Sequence, residues 1–130
     1  FKNPALAQQL QYGLQEGRTP SPVVQLLNCV TEADILDDSD FYEVKNLIHK
    51  EASKYGIVEE VLIPRPSRSA YDSNASSEGG VGKIFVHYQS VTSARKFQSE
   101  INGRKFDDRV VCAAFYPSTR FAQGLYALGE

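Results

Sequence analysis

The chain of 130 residues predicts an α+β fold of the split βαβ kind, ordered βαββαβ and ferredoxin-like. Three observations carry that prediction. Four short apolar segments read as strands. Two longer segments repeat apolar residues at helical spacing. Their order along the chain is strand, helix, strand, strand, helix, strand. A helical extension with its linker is predicted over residues 1–21, ahead of a domain at 22–130 that closes with a C-terminal helix.

The extension rests on Ala, Leu and Gln between Pro4 and Gln15, a helix-favouring composition that Gly13 weakens. Gly17, Pro20 and Pro22 then break the pattern. The first strand is Val23 to Cys29, apolar and β-branched at its start. One long helix is expected from Asp34 to Tyr55, with Asp37, Asp38 and Asp40 crowding its start, where free N–H groups and the helix dipole favour acids. Phe41, Val44, Ile48, Ala52 and Tyr55 form its core stripe, and Gly56 ends it.

Ile57 to Ile63 is the second strand, and Pro64 to Gly80 has the Ser, Arg and Gly content of a mobile loop. The third strand is Gly82 to Tyr88. Ser90 caps the second helix, whose core side is Val91, Ala94, Phe97 and Ile101. The last strand is Val110 to Phe115, stopped by Pro117, and Ser118 to Leu128 forms a short helix carrying Phe121, Leu125 and Tyr126. In this arrangement two helices cover one face of an antiparallel sheet, leaving the other for a partner or for the C-terminal tail.

Composition narrows the function classes. Fourteen Lys and Arg against 16 Asp and Glu give a net charge of -2, without the basic excess usual in nucleic-acid binders. The two cysteines, Cys29 and Cys112, have no metal-ligand spacing, so no metal or other cofactor is expected and both are read as free thiols. No apolar run approaches membrane-spanning length, and the first residues carry no signal-peptide pattern. His49 and His87 stand apart, no nucleophile elbow is present, and Gly79-Gly80-Val81-Gly82 opens a strand where a phosphate loop would open a helix. An enzyme is not expected.

The stretch with most to explain is Asn102 to Val111. Gly103 suits a helix terminus. In the extended chain after it, Arg104 and Phe106 share a side and Lys105 points away. Either Phe106 caps the core with Arg104 solvated, or the pair holds an aromatic ring from a partner. On the first helix, at about 100° per residue, Glu43, Leu47 and Glu51 form a stripe roughly a quarter turn from the core stripe. Leu47 there either lines a pocket for an aromatic ring or widens the core stripe, and Asp37 and Asp38 either cap the helix or meet a ligand.

Val81-Gly82-Lys83-Ile84-Phe85-Val86-His87-Tyr88 has the form of the octamer of the RNA-recognition motif, and Val24-Gln25-Leu26-Leu27-Asn28-Cys29 that of its partner hexamer. Alternation puts Gln25, Lys83 and Phe85 on the sheet face with which that family stacks bases. Phe85 is the single ring left there. Each lost stack removes about 1–3 kcal/mol, so RNA binding by this face is expected to be weak or absent.

Further segments sharpen the resemblance: Gly82-Lys83-Ile84-Phe85-Val86, Ser53-Lys54-Tyr55-Gly56, Ile63-Pro64-Arg65-Pro66, and Gly103-Arg104-Lys105-Phe106 with Arg109-Val110-Val111. From Pro22 to about Gln123 the chain resembles the U2 auxiliary factor homology motif family, in its large-subunit branch. The resemblance implies a nuclear pre-mRNA splicing domain that has exchanged RNA for protein. Its partners would be basic, tryptophan-containing peptide motifs of splicing factors, among them the branch-point-binding protein and the large subunit of splicing factor three b. It implies a tryptophan pocket between the first helix and Arg104-Lys105-Phe106, with the ring packed on Phe106 and covered by Arg104. Glu51 would pin that arginine, and Leu47, Glu43 and Asp40 would complete the site. Family members commonly carry an acid where this chain has Leu47, so weaker attraction for a basic peptide is implied.

Two other readings compete. One is conventional recognition of single-stranded pyrimidine-rich RNA through Phe85, Lys83, Lys105 and the loop arginines. The other is a homodimer or an intramolecular contact through residues 1–20, which contain no tryptophan.

Overall fold

Strand pairing sets the architecture. In the computed structural model, which describes residues 19–65, 82–106 and 108–125, β1 (Val23–Leu27), β2 (Val58–Leu62), β3 (Ile84–Tyr88) and β6 (Cys112–Tyr116) form one antiparallel sheet in the order β2-β3-β1-β6. β1 is central, with Gln25 opposite Phe85 on one side and opposite Ala114 on the other. The helical extension over 1–21, the loop after Arg65 and Tyr126 to Leu128 fall largely or wholly outside the described residues.

The long helix expected from Asp34 to Tyr55 is two helices, α1 (Glu32–Leu36) and α2 (Asp38–Ala52). The break has a chemical cause on both sides. Thr31 and Asp34 close a capping box on α1. Asp37 is extended, at φ −79° and ψ 135°, and its carboxylate accepts from the Asp40 N–H as the cap of α2. Carbonyls at the end of α1 would be left open by the break, and Arg65 takes them: Nε donates to Ile35 O and Nη2 to Leu36 O, each at 2.9 Å. Its charge lies 2.8 Å from Asp38, and its guanidinium sits over the Phe41 ring, 4.4 Å from the centroid. Asp37 and Asp38 are therefore accounted for as cap and ion-pair partner.

α2 buries Phe41, Ile48 and Ala52, with Val44 and Tyr55 partly buried beside them. α3 (Val91–Ile101) is capped by Ser90 and buries Ala94, Phe97 and Ile101. Val91, the first residue of α3 and expected on that core side, is exposed. Gly56 is required by packing: a Cβ there would lie 2.0 Å from Ser93 Oγ. The helix-facing sheet residues Val24, Leu26, Ile84, Val86, Ala113 and Phe115 join these side chains in one core, and the buried Tyr88 hydroxyl donates to Ala52 O at 2.6 Å.

Val110, expected to start the last strand, belongs instead to a separate hairpin of β4 (Lys105–Phe106) and β5 (Arg109–Val110). The chain re-enters the sheet at Cys112, opposite Leu27. The second face of the sheet is covered by α4 (Ser118–Ala122), a shorter helix than the one expected, with Leu125 exposed. Phe121 seats against Phe85, with centroids 5.8 Å apart, and against His87 at 5.5 Å. Tyr116 lies edge-on to Phe85 at 4.9 Å, and its hydroxyl donates to Leu125 O, tying down the segment after α4.

Candidate functional site

Burial of Phe41, Ile48 and Ala52 orients α2 so that Glu43, Leu47 and Glu51, one turn apart, run along an uncovered flank. What stands opposite that flank is decided by the turn after α3. Asn102 ends α3 and accepts from Ala113 N–H through its Oδ1 at 2.9 Å. Gly103 turns left-handed at φ +85°. Gly103 N–H then donates to Val111 O at 2.8 Å, and Val111 N–H to Arg104 O at 2.9 Å.

The β4–β5 hairpin this turn launches is also tied to the β1–α1 connection. Asn28 Nδ2 donates to Val110 O at 3.1 Å, and Arg109 Nη1 reaches Asp34 Oδ2 at 3.2 Å and Cys29 O at 3.4 Å. Phe106, opposite Arg109 in the hairpin, is thereby held half-buried against the edge of the core, facing α2.

Between hairpin and helix lies a cavity of about 380 Å³. Val30, Val44, Ile48, Phe106 and Cys29 provide its apolar lining, and Leu47, 61% exposed, stands at its mouth. Asp34, Asp40 and Glu43 bring three carboxylates to the same opening. Asp34 is engaged: the Thr31 backbone N–H, and after it the Arg109 guanidinium, hold its carboxyl below the usual aspartate value. Asp40 and Glu43 have no ion-pair partner among the described residues. Burial pushes the Cys29 thiol up to about 11, which leaves it protonated and a small apolar wall at neutral pH. Both cysteines are free.

One turn beyond Leu47, Glu51 Oε1 receives Arg104 Nη1 at 2.9 Å, and its other oxygen takes Lys54 Nζ at 2.8 Å. Lys54 first, then Arg104, lowers the Glu51 carboxyl below the ordinary glutamate value. Hydrogen bonds to Glu51 and then Tyr55 raise the Arg104 guanidinium further still. A flat cation is thus fixed on the turn that also carries Phe106.

The structure brings Asp40, Glu43, Leu47 and Phe106 to one cavity, with Arg104 and Glu51 paired one helical turn away. Lys105 is exposed on the hairpin and does not line the cavity. Gln25, Lys83 and Phe85 lie on the remote sheet face and are buried, with Phe85 at 0% exposure. As a base-stacking group Phe85 is inaccessible, because Tyr116 and Phe121 pack against its ring. The residue reading missed Cys29, Val30 and Asp34, which reach the cavity from the far side of β1, and it assigned Val44 and Ile48 to the core alone.

A four-stranded antiparallel sheet in this order, with α2 and α3 on one face, is the ferredoxin-like arrangement to which the RNA-recognition-motif class belongs. A solved structure titled "Structure of RNA15 RRM" matches 80% of this chain and 99% of its own, with a TM-score of 0.51 at 14% identity, which establishes the fold. No family model matches the chain. Relatives do. The B form of the splicing factor U2af large subunit from Arabidopsis thaliana is 38% identical over 112 residues, 86% of this chain and 18% of the relative. The A form from Oryza sativa subsp. japonica is 33% identical over 122 residues, 94% and 20% respectively. The B form from Triticum aestivum is 37% identical over 119 residues, 92% and 21%. The chain spans about a fifth of the length of these relatives. It belongs among the RNA-recognition-motif-like domains of the U2af large-subunit family.

Proposed function

We propose that this domain is a non-catalytic interaction module of a nuclear pre-mRNA splicing factor, acting in recognition of the 3′ splice site and branch point. Its ligand is a basic peptide with one tryptophan, carried by a partner such as the branch-point-binding protein or the large subunit of splicing factor three b. The observation that carries this reading is the cavity between α2 and the β4–β5 hairpin, apolar inside, acidic at its mouth and flanked by the Arg104–Glu51 pair. The indole enters against Phe106, Ile48 and Val44, and basic residues of the ligand meet Asp40 and Glu43. Arg104, held by Glu51, covers the ring.

Magnitudes explain why the parts belong together. Burying one tryptophan removes about 150–250 Å² from water, worth roughly 4–6 kcal/mol. Ordering a flexible peptide costs about 2–5 kcal/mol. The ring alone would bind poorly, and the surplus comes from the cation over the ring and from charge attraction at the open acids. The burial of Phe85 supports peptide over RNA as the ligand, since the ring that the motif would offer to a base on that face lies beneath Phe121.

The test is a pair of titrations on one sample, a basic tryptophan peptide against pyrimidine-rich single-stranded RNA, each at low and high salt. Peptide binding that weakens with salt, mapped by NMR to Leu47, Arg104 and Phe106, is the expected result. RNA binding with no response to the peptide would overturn the assignment.

A further inference from the structure

Leu47 is more exposed than a cavity wall needs to be. At 61% it leaves most of its side chain outside the opening, while Ile48 and Val44 beside it line the interior. Its neighbours one turn to either side differ in state. Glu51 is already neutralised by Lys54 and Arg104. Glu43, with Asp40 a turn before it, has no cation among the described residues. The flank of α2 therefore changes character within about 6 Å per turn, from open acid to exposed aliphatic to a closed ion pair.

We propose that the peptide seated here places an aliphatic side chain on Leu47, directly beside its aromatic anchor, and keeps its cations on the Asp40 and Glu43 side. The inference rests on the peptide-binding reading above and adds the chemistry of a second ligand position. A cation over Leu47 would lose water against an isobutyl group, and of the two carboxylates a turn away the one on the Arg104 side, Glu51, is already paired. An aliphatic side chain there covers apolar surface on both partners.

The test uses the whole chain and a peptide series in which the residue before or after the tryptophan is Leu, Ala, Lys or Asp. Wild type is expected to favour Leu over Lys and Asp at one of the two positions by about fivefold to tenfold. Leu47→Ala should flatten that preference and Leu47→Asp should turn it toward Lys. Both variants should keep the wild-type melting temperature, Leu47 being exposed. If wild type binds the whole series within about twofold, or Leu47→Asp leaves the ranking as it was, while Phe106→Ala still abolishes binding, this inference falls and the peptide reading stands. If no peptide binds, or Phe106→Ala binds as well as wild type, both fall.

Discussion

Arg104 and Glu51, 53 residues apart in sequence, meet through a 2.9 Å hydrogen-bonded ion pair that joins the turn after α3 to the end of α2. Its value to the fold is small, because pairs this exposed contribute about 0–1 kcal/mol. Its value to the site is positional. Arg104→Glu and Glu51→Arg should each weaken binding of a basic tryptophan peptide by more than about tenfold, and the double reversal should recover part of the loss. A double variant as weak as the product of the two single ones would mean the pair does not act as a unit.

Phe106 serves both the fold and the cavity. Half-buried against the core yet lining the cavity, it neither caps a closed core nor stands free. Phe106→Ala should cost about 1–2 kcal/mol in chemical denaturation, below the figure for a fully buried ring, while peptide binding disappears. A loss of about 4 kcal/mol would assign the ring to the core alone.

Arg65 holds the break between α1 and α2 together. Arg65→Met removes the guanidinium from over Phe41 and leaves the Ile35 and Leu36 carbonyls without their donor. A loss of about 1–3 kcal/mol is expected, with amide exchange accelerated in α1 before the sheet. A variant of unchanged stability would show that water replaces the guanidinium without cost.

Acid should erode the site in a defined window. The Glu51 and Asp34 carboxyls both lie below their ordinary values of 4.5 and 3.8. A depressed carboxyl stabilises the fold fully above its ordinary value and loses that contribution as pH falls through the lower folded value. The stability gap between wild type and Glu51→Gln should therefore be constant from neutral pH to about 5 and close below 4.5. Urea midpoints at several pH values measure it, and a gap that widened toward low pH would contradict the assignment.

Phe121 tests the covered sheet face. Phe121→Ala should loosen α4, expose Phe85 and raise affinity for pyrimidine-rich RNA by up to about tenfold, the weight of one recovered stack. Peptide binding should not change, because the cavity lies on the helix side of the sheet. No gain in RNA affinity from a folded variant would mean that Gln25 and Lys83 leave that face unable to hold RNA even when open.

Periodicity by itself was enough to determine the two core stripes apart from Val91, and the βαββαβ order of the main sheet, because burying one face imposes a spacing that any short window displays. Leu47 between Glu43 and Glu51 was visible in the same way, as an apolar residue off the core stripe. Tertiary structure decided three further things. The first helix breaks at Asp37 because Arg65, 29 residues from Leu36, is there to take the freed carbonyls. Val110 leaves the last strand for a hairpin because Asn28 and Arg109 fasten that hairpin to the far end of β1. Cys29, Val30 and Asp34 enter the cavity by that same fastening. Local spacing records which face of an element is buried. It carries no record of which distant side chain meets the other face, since that depends on how separate elements close on one another.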